Sequence, residues 1–409
     1  MTHALIIGGG IAGATAAMSL GKAGISATVH EAYPAAADDD AGAFLVLFPN
    51  GLQALRTIDA HEPVLEASFS AERVEMLAHT GDSLGVRPIA GGLPAGTPEE
   101  ETPGPRTIRR AVLCRVLRQE AERRGAAIEY GKRLVDAVTG EDGRVTARFA
   151  DGSTAQGDLL IGADGLHSVT RRLIDPAAPG PRHTGQITVC GRTPGAGPEI
   201  APAPGTYRMI RGRRAFLGCT LAPGGDLWWF ANTPGGELSR SALATATPRQ
   251  HTRWRDHVAG LFSEDASPAA EIVRGSGAGI VATNAYDLAR TPVWSRGPLV
   301  VLGDAAHAAT PNAAQGASMA IEDSVVLAKC LRDLPGPEAA FARFELLRRG
   351  RVEAVVERSA RLNDRAVQRP AAHRTAPHPG QEAPAGSDWL LRYRIDWDSP
   401  VGAGTAGTP

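Results

Sequence analysis

Residues 4–22 read ALIIGGGIAGATAAMSLGK, and the fold turns on this stretch. The apolar run at 4–7 predicts a short buried strand, Gly8 to Gly10 a turn, and 11–22 a helix whose small residues suit close packing on a sheet. A second strand at 26–29 ends in His30 and Glu31. Together they make a βαβ unit of about 30 residues, the size of a nucleotide-binding crossover. In Gly8-x-Gly10-x-x-Gly13 glycine permits the tight turn, the close approach of backbone to a pyrophosphate, and close contact of helix and sheet. The amides of the first helical turn, at Ile11 and Ala12, then face the phosphate. Glu31 lies about 20 residues beyond the glycines, where a carboxylate accepts hydrogen bonds from ribose hydroxyls. A glycine-rich turn alone would be a weak signal. Strand, helix and distal Glu together predict dinucleotide binding, without separating FAD from NAD.

Outward from this unit, 127–161 carries Asp142-Gly143 and Asp151-Gly152 between alternating segments and predicts a β-meander. Segments 186–190, 207–210 and 227–230, separated by Gly/Pro-rich breaks, predict a second sheet. A buried strand is expected at 299–302, with helices at 317–331 and 339–367. Residues 370–387 are rich in Pro, Ala, Gly and His and read as a linker, whereas 389–397 is aromatic enough to dock back. The expected architecture is α/β: a Rossmann-like domain at 1–180 with the meander inserted, a mostly antiparallel sheet domain at 181–290 for substrate, a return to the first domain with C-terminal helices at 291–367, and a linker and tail at 368–409.

The 409 residues carry a net charge of −1, with no clustered positive charge to serve as a nucleic-acid footprint. Small-molecule partners are expected. Cys114, Cys190, Cys219 and Cys330 lie far apart, with no CxxC pair and no zinc spacing, so a reducing cytoplasm and no metal are expected. No apolar run reaches the roughly 18 residues of a membrane span, and the N-terminus lacks the basic flank of a signal peptide.

Two further segments recur in order: Gly162-Ala163-Asp164-Gly165 followed by Ser168 and Arg171, and Gly303-Asp304-Ala305-Ala306-His307 followed by Pro311 and Gly316. With the N-terminal fingerprint they make the chain resemble the single-component, class A flavoprotein monooxygenases of the p-hydroxybenzoate hydroxylase fold, from residue 4 to about 358. Pro49-Asn50-Gly51 matches the family's segment after the second strand. Arg110 with Leu113 and Leu117 matches its flavin-contacting arginine helix, Arg109 being the competing arginine.

The resemblance implies FAD as the cofactor. Gly8, Gly10, Ile11, Ala12, Gly13, Glu31 and Ala32 would hold its dinucleotide end, with Arg110, Leu134 and Asp164 as further contacts. Gly303 and Asp304 would meet the ribityl chain, and Pro311, Gly316 and Ala317 the flavin ring. The positive end of the helix opening at 316 would stabilise the anion formed on reduction. Asp164 and Arg171 also suit transient NADH or NADPH contacts, or a plain turn with an ion pair. His307 reads as structural. The substrate candidates are Trp229, Tyr207, Arg192 and Pro311, although strand aromatics such as Trp229 are commonly core. No side chain is assigned as a general base.

The implied activity is an NAD(P)H- and O2-dependent monooxygenation, hydroxylating or epoxidising an aromatic, polyketide or terpenoid-like molecule through a flavin hydroperoxide, in a monomer or homodimer. The alternatives are an FAD-dependent reductase, dehydrogenase or cyclase of the same fold, and a non-enzymatic flavin sensor. Three positions depart from the family pattern: Ala314 replaces a usual glycine, Ala308 a common proline, and Ala32 a basic residue.

Overall fold

The structure is a computed structural model and describes residues 2–35, 43–89, 104–245, 247–366 and 388–401. Its first layer grows from the opening βαβ unit. His3–Ile7 pairs in parallel with Ser26–Glu31 on one side and with Leu159–Gly162 on the other. Ala127–Tyr130 extends one end of the sheet and Leu299–Val301 the other, where the short Ser295–Arg296 closes the edge as an antiparallel hairpin. Leu159–Gly162 is apolar throughout, and His3–Ile7 is so after its first residue, because helices and a second small sheet cover both faces. Helix Ile11–Lys22 lies on one face and Gly316–Asp333 packs against it, where the Ser324 hydroxyl donates to the Ala12 carbonyl at 2.9 Å.

The meander expected over 127–161 is narrower than its turn signals suggest. Only Leu134–Thr139, Val145–Phe149 and Thr154–Gly157 form the antiparallel three-stranded sheet. The strands on either side of it are the parallel ones just described.

The second sheet has seven strands, in the order Val281–Asp287, Arg182–Thr193, Leu227–Pro234, Phe216–Leu221, Thr206–Arg211, Arg73–Ala78 and Ser83–Pro88. Its last two strands come from within 1–180, so this sheet is not confined to 181–290. Arg73–Ala78 runs parallel to Thr206–Arg211, a pairing between distant segments that no local pattern announces. On the outer face Leu217, Trp229 and Ala231 are buried with Trp254, Val258 and Phe262, under helices Pro248–Leu261 and Ala269–Arg274. The inner face looks toward the small sheet of Phe44–Leu47, Arg106–Arg109 and Phe69–Ser70, which joins the two layers.

Helix Gly336–Ala366 follows, and the C-terminal segment returns with the short helix Asp388–Leu391. No helix among the described residues is long and apolar enough to cross a membrane.

Candidate active site

At the C-terminal end of the first strand the three glycines do three different things. Gly8 sits at φ +101°, and a Cβ there would stand 2.5 Å from the Ala163 carbonyl oxygen. A Cβ on Gly13 would stand 1.8 Å from the Gly8 carbonyl, so only glycine lets the helix approach its own loop. A Cβ on Gly10 would meet nothing within 4 Å: the loop opens there, at the N-cap of helix Ile11–Lys22. Ile11 and Ala12 form the first turn, whose amides have no intrahelical acceptor. Glu31 is buried beside the loop and accepts from the Gly9 amide at 2.6 Å and the Tyr33 amide at 2.9 Å. Ala32 is half-buried next to it, and the Lys132 amide donates to the Glu31 carbonyl. That bond brings the start of the meander alongside. Leu134 is a core residue there.

The DG segment lies against this loop. The Asp164 carboxylate accepts from the Ser168 hydroxyl at 2.5 Å, the Val169 and Thr170 amides at 2.8 and 3.0 Å, and the Thr170 hydroxyl, capping helix Val169–Ile174. Arg171 makes no hydrogen bond to Asp164. Its buried guanidinium donates to the carbonyls of Leu166 and Ala305, both at 2.9 Å, joining the DG segment to the 303–307 segment.

Gly303 turns at φ +59°, against Ala12 and Ala320, and its amide donates to Asp323 at 3.0 Å. Asp323 also holds His307 at 2.5 Å and Arg348 at 2.7 Å, a structural place for the histidine. Burial alone would push this carboxyl up, but the His307 and Arg348 charges outweigh it and hold it at about 2. The Asp304 side chain, by contrast, is exposed. The 3₁₀ turn Pro311–Ala313 follows, with Pro311 exposed and Ala314 at φ +51°. This left-handed conformation gives the physical reason why glycine is usual at that position. Gln315 then stands at the N-cap position of helix Gly316–Asp333 without a side-chain capping bond, and the half-buried Gly316 and Ala317 open its first turn. A Cβ on Gly316 would meet only Asp304, at 3.9 Å.

These features suit FAD. An open glycine loop with free helix amides beside a buried carboxylate fits a ribose and a pyrophosphate, and an exposed carboxylate beside a second open helix N-terminus fits a polyol and an electron-rich ring.

The two arginine candidates part company. Arg110 is exposed at the start of helix Arg110–Arg123, whereas the Arg109 guanidinium lies over the Trp228 ring at 6.0 Å. A third arginine, not singled out from sequence, reaches the glycine loop: Arg118, two turns beyond Arg110, donates to the Gly9 carbonyl at 3.4 Å. Its spacing of eight from Arg110 is the signal that could have found it.

Above, the inner face of the large sheet is aromatic. Phe44 lies 5.7 Å from Trp228 and 6.0 Å from Phe230, and Phe69 lies 5.4 Å from Trp228. Gly218 leaves room for the Phe230 ring, which a Cβ would meet at 2.5 Å. Trp229 does not belong to this face. It is fully buried on the other side against Gly191, its indole N–H donating to the Ser276 hydroxyl at 2.8 Å. Side chains alternate along a strand, so Trp228 and Phe230 take the inward places. Tyr207 faces inward but is buried, its hydroxyl bonded to that of Thr107 at 2.9 Å. Arg192 is exposed opposite Trp228 on the neighbouring strand, 3.6 Å from Asp226. Beside Pro311, Asn312 accepts a hydrogen bond from the Asn232 amide of the large sheet at 3.2 Å. The Pro311–Ala313 turn and the aromatic face are thereby tied together.

Comparison with known proteins agrees with this geometry. The family model described as an FAD binding domain matches residues 1–359. The chain is 31% identical over 374 residues to the aurachin C monooxygenase/isomerase of Stigmatella aurantiaca, covering 88% of each protein. It is 29% identical to the 3-amino-4-hydroxybenzoate 2-monooxygenase of Streptomyces cremeus, over 87% of this chain and 86% of that one. Among solved structures, Klebsiella pneumoniae HpxO complexed with FAD and uric acid superposes with a TM-score of 0.76 at 26% identity, covering 89% of this chain and 88% of that one.

Proposed function

Because this chain belongs to the FAD binding domain family and is an FAD-dependent monooxygenase of the class A, p-hydroxybenzoate hydroxylase-like type, we propose that it uses NADH or NADPH and O2 to oxygenate a small, planar aromatic substrate held against Phe44, Trp228 and Phe230. The observation that carries this reading is the aromatic inner face, with Arg109 over Trp228, opposite the Pro311 turn. A flat ring stacks there, and the guanidinium suits a phenolate or similar anionic oxygen on it. The names of relatives, an aurachin C monooxygenase/isomerase, a 3-amino-4-hydroxybenzoate 2-monooxygenase and an FAD-dependent urate hydroxylase, support an aromatic substrate.

FAD supplies the redox and oxygen chemistry when bound. Gly8, Gly10, Ile11, Ala12, Gly13, Glu31 and Ala32 would hold its dinucleotide end, with Arg110, Arg118, Leu134 and Asp164 around them. Gly303, Asp304, Pro311, Gly316 and Ala317 would hold its flavin end. The protein's own part is to orient the ring, keep water off it with aromatic walls, and hold its anionic oxygen at Arg109.

The test is turnover of candidate phenolic and N-heteroaromatic acids with NAD(P)H under 18O2. One labelled oxygen in the product supports the proposal. NAD(P)H-dependent turnover without label would support the reductase, dehydrogenase or cyclase reading instead.

A further inference from the structure

The C-terminal segment 388–401 lies beyond the stretch that the family model matches, and it is fastened unusually. Its three aromatics stand four residues apart, and each rests on cations: Trp389 on Arg351 at 5.5 Å, Tyr393 on Arg351 at 4.2 Å and Arg348 at 5.4 Å, and Trp397 on Arg332 at 4.7 Å and Lys22 at 5.6 Å. Arg351 also donates to the carbonyls of Trp389 at 2.7 Å and Leu390 at 2.6 Å.

From Arg351 a chain of hydrogen bonds runs inward. Its guanidinium grips Glu322 with two bonds, at 2.8 and 2.9 Å. Glu322 accepts from the Asn50 amide at 2.7 Å, and the same amide group donates to Gln315 at 3.1 Å. Gln315 stands at the N-cap position of the helix that opens at Gly316, and its backbone carbonyl accepts from the Met319 amide at 2.9 Å. Asn50, Gln315 and Glu322 are all buried. Glu322 has a second, buried partner in Arg348 at 2.6 Å, so what Arg351 adds is the direction in which the Glu322 carboxylate faces Asn50, and a shift there leaves the buried Asn50 and Gln315 amides without a well-aligned partner.

We propose that Arg351, clamped by Tyr393 and the C-terminal segment, is a positioning residue: through Glu322, Asn50 and Gln315 it sets the helix N-terminus and the Pro311–Ala314 turn against the flavin. The inference rests on FAD being the bound group. Wild-type protein that failed to bind FAD would overturn that assignment, whereas the variants below address this one.

The test compares the full-length holoenzyme with Arg351→Lys, Tyr393→Leu and Tyr393→Phe. The measurements are the FAD dissociation constant by flavin fluorescence and the two-electron midpoint potential of the bound flavin. Arg351→Lys keeps the charge but loses the two-pronged grip, and Tyr393→Leu removes the ring. Both should weaken FAD binding about fivefold, and reduced FAD should lose about threefold more than oxidised FAD, a fall of about 14 mV in midpoint potential. Tyr393→Phe keeps the ring and should match wild type. Unchanged affinity and potential in Tyr393→Leu, even with a lower melting temperature, would make the segment a structural clamp only and overturn the proposal. If Arg351→Lys does not fold, the Tyr393 pair still decides.

Discussion

Two adjacent tryptophans carry opposite duties. Trp229 fills the outer core, so Trp229→Ala should cost about 3–5 kcal/mol in denaturant unfolding. Trp228 is half-buried on the inner face, and Trp228→Ala should cost roughly 1–2 kcal/mol while raising the substrate KM. Equal stability losses would contradict the assignment of faces. The run 227–230 told of a strand but not of its phase, because Leu227, Trp228, Trp229 and Phe230 are all apolar and both faces of this sheet are covered. Ala314 could be read further from sequence, since an alanine in place of a usual glycine points to a left-handed position, and φ +51° is what the turn holds. Ala314→Gly should stabilise the protein by up to about 1 kcal/mol, the relieved strain being partly offset by glycine's freedom in the unfolded chain. A loss of stability in that variant would count against strain at this turn. Asp323 sets an acid limit. Its folded pKa of about 2 lies below its unfolded value, so its stabilisation is complete above about pH 4 and lost as pH falls toward 2. Chemical denaturation across that range should show a decline of about 2 kcal/mol that Asp323→Asn removes.

At the scale of elements, the opening unit was the most legible part of the chain. Helix 11–22 and strand 26–31 stand where the sequence puts them, because glycine turns and apolar periodicity are local signals. The loop between them makes a sharp contrast of variants. Gly10→Ala places a methyl in open space, so the apoprotein should keep its melting temperature within a few degrees while FAD affinity drops at least tenfold. Gly13→Ala drives a methyl into the Gly8 carbonyl and should lose both. Calorimetry of the apoprotein with FAD titration separates the two, and equal FAD affinity in Gly10→Ala and wild type would remove the pyrophosphate from that opening. Less legible were elements made by partners far away in sequence. The strands at 73–88 acquire their place from Thr206–Arg211, and Arg118 acquires its role from a loop more than 100 residues earlier.

The whole molecule is built by late returns. His3–Ile7 is completed by Leu159–Gly162, that strand by Leu299–Val301, and the helix opening at Gly316 packs back on the helix opening at Ile11. The glycine loop is therefore made first and its counterpart, Asp304 with Gly316, only after some 300 further residues. At a synthesis rate of roughly 5–20 residues per second the two halves of the cradle are separated by about 15–60 s of translation. During that interval the growing chain carries half a binding site and a sheet with one strand edge open, first that of His3–Ile7 and then that of Leu159–Gly162, both in need of shelter from aggregation. Loading with flavin then waits for the end of synthesis, so scarcity of the vitamin should be felt first by newly made protein.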